Sequence, residues 1–211
     1  MKDLIIIGAG GVGRETAWIV EQINRVNPTY NLLGFLDDNT DIWGTYINGY
    51  RVLGGVKYIE DNECNCEVVV AIANYDVKKK IVNKLKNQNI SYSTIIHPNL
   101  NIHNSVEIGE GTIIYEGVII SPNVKIGNHV IVSPKSGIGH DSIIKDYVSV
   151  LWNVNISGND LIGEGVLLGS GSTIIQNKKI GKGSIVGAGA VVLNDIEDNK
   201  TIAGIPAKVI K

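Results

Sequence analysis

Ile102, Ile108, Ile114, Ile120, Ile126, Val132, Ile138, Ile144, Val150, Ile156, Ile162, Leu168, Ile174, Ile180, Val186 and Val192 occupy every sixth position of one unbroken stretch. No polar residue interrupts the series. Ile, Leu and Val make up 69 of the 211 residues, so an arbitrary register would place about five of them in these sixteen positions. A hexad period of this purity describes a short strand plus a turn, repeated, with one branched aliphatic per hexad aimed at a common axis. Three hexads close a coil, and coil stacks on coil as a parallel β-helix.

A second inward position falls two residues before each aliphatic. It holds small or β-branched side chains, Thr112, Val118, Val130, Ser136, Ser142, Val154, Ser172 and Ala190 among them. Asp160 and Lys178 break this column. They are eighteen residues apart, hence stacked, and an ion pair between them is expected. Glycine follows the aliphatic at Gly109, Gly127, Gly139, Gly163, Gly169, Gly181 and Gly187, as expected where the backbone bends tightly or takes positive φ. The repeat is expected to end in the polar stretch from Leu193 to Lys200, with Thr201 to Lys211 as a cap over the open end.

Upstream, Lys2 to Ile7 reads as a buried strand, followed by Gly8-Ala9-Gly10-Gly11-Val12-Gly13 and a helix to about Val26. Asn31 to Leu36 is a second strand ending at Asp37-Asp38. Glu67 to Ala73 reads as a third, Asn74 to Asn89 as a lysine-rich helix, and Ser91 to Ile96 as a closing strand. Alternating β and α implies a small α/β domain with a parallel, half-Rossmann-like sheet over residues 1–96, ahead of the β-helix and cap over residues 97–211. The turn satisfies G-x-G-x-x-G, yet the section supplies only one half of a dinucleotide fold, so NAD is not expected. A half-site still suits a nucleotide diphosphate at the helix start.

The formal charge of -2 and the lack of any basic run give no reason to expect nucleic acid as a partner. No apolar run reaches a membrane span and the N-terminus lacks a signal-peptide layout, so a cytoplasmic protein is expected. Cys64 and Cys66, the two cysteines, read as a reduced pair of little consequence. The four histidines share no spacing suited to a metal site, and none is expected.

His140-Asp141 follows the inward Ile138 and Gly139, and therefore occupies an outward turn. With eighteen residues to a coil, its stacking neighbours are Pro122 and Gly158, and Gly158 is expected to leave open space beside the imidazole. Imidazole suits proton abstraction near neutral pH, and an adjacent carboxylate fixes its tautomer. His97, His103 and His129 read as solvated turn residues.

Gly139-His140-Asp141, the run Ile185-Val186-Gly187-Ala188-Gly189-Ala190-Val191-Val192 and Gly204-Ile205-Pro206-Ala207-Lys208 resemble the left-handed β-helix acyltransferases. With the glycine turn and Phe35-Leu36-Asp37-Asp38, the chain is similar to the branch containing nucleotide-amino-sugar N-acetyltransferases and sialic-acid O-acetyltransferases. The resemblance implies a homotrimer with active sites between neighbouring β-helices, and acetyl-CoA as co-substrate without a metal. It implies His140 as general base, supported by Asp141. It further implies that Gly10, Gly11, Val12, Asp37, Asp38, Ala73 and Asn74 line a sugar-nucleotide pocket. Ser149, Gly158, Gly169, Ser170, Gly187 and Ala188 would lie along the CoA arm. Some relatives carry histidines where this chain has Val12 and Ser149, so the thioester is expected to be held differently here. The expected activity is acetyl transfer to a nucleotide-linked amino sugar. Alternatives are sugar O-acetylation, as of sialic acid, and a non-catalytic nucleotide-binding trimer.

Overall fold

The computed structural model describes residues 1–62 and 66–211 as two compact units, Met1–Pro98 and Asn99–Lys211. In the first, β1 (Lys2–Ile7), α1 (Gly11–Val26), β2 (Tyr30–Leu36), β3 (Tyr46–Ile47), β4 (Tyr50–Gly54), α2 (Lys57–Asp61), β5 (Glu67–Val70), α3 (Tyr75–Leu85) and β6 (Ser91–Tyr92) follow in order. They build one six-stranded sheet of order β3-β4-β2-β1-β5-β6, in which β3 pairs antiparallel with β4 and the other pairings are parallel. Leu4, Ile5, Ile6 and Ile7 are buried at 1% exposure or less, which explains why β1 reads as a continuous apolar run rather than an alternating one. The chain leaves β1 toward β2 and later returns to β5 on the other side of β1. That reversal places the glycine turn, the end of β2 and the segment after β5 at the same carboxyl edge of the sheet, where open α/β sheets bind ligands.

Two glycines of the turn are fixed by packing. Gly8 takes φ +103°, and a Cβ on Gly13 would stand 1.8 Å from the Gly8 carbonyl oxygen. Cys66 is buried and is not a free thiol, which differs from the expected reduced pair; Cys64 lies outside the described residues.

The second unit is the expected left-handed β-helix. Strands of two residues pair in parallel at a constant offset of eighteen, as in Ile120↔Ile138, Ile138↔Ile156, Ile156↔Ile174 and Ile174↔Val192. Every hexad aliphatic from Ile114 to Val192 is 8% exposed or less, each contributing roughly 1.5–3 kcal/mol of burial relative to exposure. Inward hydroxyls join successive coils. Ser142 Oγ donates to the Ser157 carbonyl and accepts from the Asp160 amide, and Ser136 repeats the pattern with Leu151 and Val154.

Three expectations are corrected. Left-handed backbone sits three residues after each aliphatic from Ile108 to Val186, at Asn123, His129, Lys135, Asp141, Tyr147, Asn153, Asn159 and Asn177 and at interspersed glycines, not at the glycine that follows it. Gly139 and its equivalents answer to close stacking instead: a Cβ on Gly139 would lie 2.5 Å from the Ser157 carbonyl carbon. The helix also continues beyond Leu193. Ile196 bridges Ile180 and the buried Ile202 pairs with Val186, an offset of sixteen, before Lys208–Val209 folds back antiparallel. Finally, the Asp160 carboxylate and the Lys178 ammonium form no direct ion pair. The Lys178 backbone N–H donates to Asp160 Oδ1 at 2.6 Å, because an inward carboxylate reaches the next coil's amide directly. Asp160 Oδ2 has no partner among the described residues, and burial pushes its carboxyl up to about 6.

Candidate active site

Each coil presents three corners. One is formed by residues 122–123, 140–141, 158–159 and 176–177, stacked by backbone bonds from Asp141 N–H to the Pro122 carbonyl and from Asn159 N–H to the His140 carbonyl. His140 and Asp141 project from it, both exposed. His140 Nδ1 lies 2.7 Å from Asp141 Oδ2, and Asn123 Nδ2 donates to Asp141 Oδ1 at 3.0 Å. The hydrogen bonds from His140 and then Asn123 hold the Asp141 carboxyl below its ordinary range. An ionised carboxylate at Nδ1 keeps that nitrogen protonated and leaves the Nε2 lone pair as the acceptor. Among the described residues nothing bonds to Nε2.

The space expected beside the ring at Gly158 is taken by the ring itself. A Cβ there would stand 2.6 Å from Nε2 and 2.7 Å from Cε1 of His140. Glycine at 158 is thus the floor on which the imidazole lies. Asn123 escaped the sequence reading, although its place eighteen residues before Asp141 was a usable signal.

A second corner carries Trp152-Asn153, Ser170-Gly171 and Ala188-Gly189, stacked through Gly171 N–H to the Trp152 carbonyl and Gly189 N–H to the Ser170 carbonyl. Ser170 and Ala188 are exposed, and a Cβ on Gly171 or Gly189 would meet nothing within 4 Å. This open lane stands one strand face away from His140, roughly 15 Å by strand rise. Of the other residues expected along the CoA arm, Ser149 is buried. Gly169 is closed by the next coil, with a Cβ 2.5 Å from the Ala188 nitrogen, and Gly187 is covered by Ala203.

In the α/β unit, Asp37 Oδ2 accepts from Ala9 N–H at 2.9 Å and Asp38 Oδ1 from Val56 N–H at 2.9 Å. Both carboxylates therefore brace the carboxyl edge, with lone pairs remaining for a ligand. Gly10 caps α1 without a side-chain bond, and a Cβ on Gly10 or Gly11 would meet nothing within 4 Å. Val12 is half-buried in the first turn of α1, and Ala73 is half-buried at the same edge. Asn74 caps α3 by accepting from Val77 N–H. A groove of about 320 Å³ lined by Gly11, Arg14, Glu15, Trp18 and Asn48 opens beside the start of α1. Lys78, one turn into α3, is buried, and that burial pushes it down to about 7.

The remaining histidines are structural, though two are buried rather than solvated. His97 Nε2 pairs with Gln22 Oε1, His129 stacks on Tyr147, and His103 bonds Ser105. No cluster suited to a metal ion occurs among the described residues.

A β-helix bearing a carboxylate-supported histidine at an outward corner, behind a small α/β domain, defines a class: the chain belongs to the hexapeptide-repeat acyltransferases, in the branch of acetyl-CoA-dependent amino-sugar N-acetyltransferases. Residues 3–85 match the family described as the PglD N-terminal domain. GDP-perosamine N-acetyltransferase of Escherichia coli O157:H7 is 32% identical over 172 residues, 81% of this chain and 77% of the relative. The acetyltransferase domain of PglB from Neisseria gonorrhoeae superimposes with a TM-score of 0.91 at 30% identity over 100% of both chains, and it is also known in complex with acetyl coenzyme A. A variant of perosamine N-acetyltransferase from Caulobacter crescentus, in complex with CoA and GDP-perosamine, has a TM-score of 0.88 at 26% identity, covering 100% of this chain and 98% of that one.

Proposed function

We propose that this chain works as a cytoplasmic homotrimer and acetylates the primary amine of a nucleotide-linked amino sugar for bacterial glycan synthesis, with His140 as general base. The observation that carries the reading is the His140–Asp141 pair, whose Nδ1 is engaged and whose Nε2 is left as an exposed acceptor. Acetyl-CoA supplies an activated thioester carbonyl. His140 Nε2 takes the proton from the attacking amine as the C–N bond forms, and returns it to the sulfur as the C–S bond breaks. Asp141 holds the ring and stabilises the imidazolium. No covalent enzyme intermediate is needed, and orientation of the two substrates supplies much of the rate.

Two further observations support the assembly and the acceptor. His140 and the open lane at Ser170 and Ala188 occupy different corners of one chain, and a three-fold arrangement lets one copy's lane face the next copy's histidine. The uncapped α1 start, with Gly10 and Gly11 open to approach and Val12, Asp37, Asp38, Ala73 and Asn74 at the same edge, suits a nucleotide diphosphate. The relatives that act on GDP-perosamine favour an amine over a hydroxyl acceptor. No helix among the described residues is long and apolar enough to cross a membrane.

Thiol release from acetyl-CoA, measured with GDP-, UDP- and dTDP-linked 4-amino sugars, a free amino sugar and sialic acid, tests the reading. Release confined to a nucleotide-linked amino sugar is expected. Release with sialic acid alone would establish the O-acetylation alternative, and silence with every acceptor would favour a binding protein.

A further inference from the structure

We infer that Asn123 is a positioning residue for the acetyl transfer, acting through Asp141 on His140; this rests on His140 being the base. Asp141 is an exposed residue on a left-handed corner, and its side chain is half open to solvent. Two contacts orient it: Oδ2 with His140 Nδ1, and Oδ1 with the Asn123 amide from the coil below. Asn123 is itself anchored, because its backbone N–H donates to Ser105 Oγ at 2.9 Å. The carboxamide therefore projects from a fixed point and ties the Asp141 carboxylate to it.

The coil above does not share the task. Asn159, eighteen residues on in the same column, gives its amide to Asn177 Oδ1 at 2.7 Å. Asn123 and Asn159 thus occupy equivalent left-handed corners, yet one serves the carboxylate of the reactive pair and the other a neutral ladder. A hydrogen bond donated to an ionised carboxylate both favours that form and fixes its direction. Loss of the Asn123 amide frees the carboxylate to rotate away from Nδ1, so the imidazole loses its preferred tautomer for part of the time.

The test exploits the backbone. Glycine tolerates positive φ, and the equivalent place on other corners is glycine at Gly117 and Gly165, so Asn123→Gly removes the amide without straining the turn. Its kcat is expected to fall roughly 3–10-fold with both KM values within about twofold, as loss of one positioning hydrogen bond implies. Asn159→Gly, the matched control, is expected to stay within about twofold of wild type in kcat. Asn123→Asp sets a second carboxylate against the pair, which favours the imidazolium, and is expected to move the acidic limb of the kcat/KM profile to higher pH. In an Asp141→Asn background the effect of Asn123→Gly is expected to shrink toward zero. An unchanged kcat in Asn123→Gly, an equal loss in Asn159→Gly, or a full Asn123→Gly effect without Asp141 would overturn the inference. His140→Ala measured alongside separates the two levels: if it too retains full activity, the base assignment has failed and not merely its support.

Discussion

Two corners of the same β-helix, built on the same hexad, are furnished in opposite ways. At the corner of His140 and Asp141 the outward positions carry groups that bind one another: Asn123 to Asp141, Asp141 to His140, and the ring laid over Gly158. At the other corner, beyond Trp152, the outward positions carry only the small side chains of Ser170 and Ala188, and the neighbouring Gly171 and Gly189 open onto free space. The backbone is the same in both, down to the left-handed residue three places after each aliphatic. A solenoid that fixes its core through one column leaves its corners free to diverge, so chemistry and substrate access can be set independently of stability.

The contrast is broken most severely at the histidine. His140→Ala is expected to lower kcat by about 10²–10⁴-fold, the usual range for a general base, in thiol-release assays on protein whose thermal melt is unchanged. Gly158→Ala attacks the floor rather than the base. Its Cβ would stand 2.6 Å from Nε2, so the ring must move, and roughly a 10-fold fall in kcat is expected at unchanged Tm. On the open corner, Ala188→Trp is expected to raise the KM for acetyl-CoA roughly 5-fold with little change in kcat, the pattern of lost ground-state binding. A kcat effect there with KM unchanged would mean that the two corners are not separable.

The smallest expected effect lies behind the His140 corner, at Asp160. Its folded-state carboxyl is raised to about 6, above the unfolded value of about 3.9. The folded chain therefore holds the proton more tightly, and stability falls as pH rises from about 4 through 6. Asp160→Ser restores the hydroxyl used at Ser136 and Ser142 to receive the next coil's amide. It is expected to raise Tm by about 2–4 °C at pH 7.5, the response to roughly 1 kcal/mol in a chain of this size. That gain should vanish near pH 4, as thermal melts at the two pH values will show.

The β-helix was legible because its period is a one-dimensional property: Ile102 to Val192 needs no three-dimensional knowledge to be read. The outward placement of His140 followed from the same count. What the count did not carry was the direction of side chains. Gly158 reads as space in a linear register, whereas the rotamer of His140 fills it. Lys178 reads as the partner of Asp160 by charge, whereas an inward carboxylate finds the backbone amide of the next coil first. The left-handed column was also present in the sequence, as Asn and Gly recurring three places after the aliphatic, and the eighteen-residue step from Asp141 picks Asn123 out of it. In the α/β domain the glycine turn disclosed the helix start. The pairing of Asp37 with Ala9 depended on how far β2 runs beside β1.

The proposed mechanism turns on Asp141 holding the His140 proton on Nδ1, so that Nε2 is the base. Nitrogen-15 NMR of the imidazole in the intact protein at pH 7.5 reads this directly. A protonated, pyrrole-type Nδ1 and a pyridine-type Nε2, with that preference lost in Asp141→Asn, is the predicted result. A protonated Nε2 in the wild-type protein would contradict it.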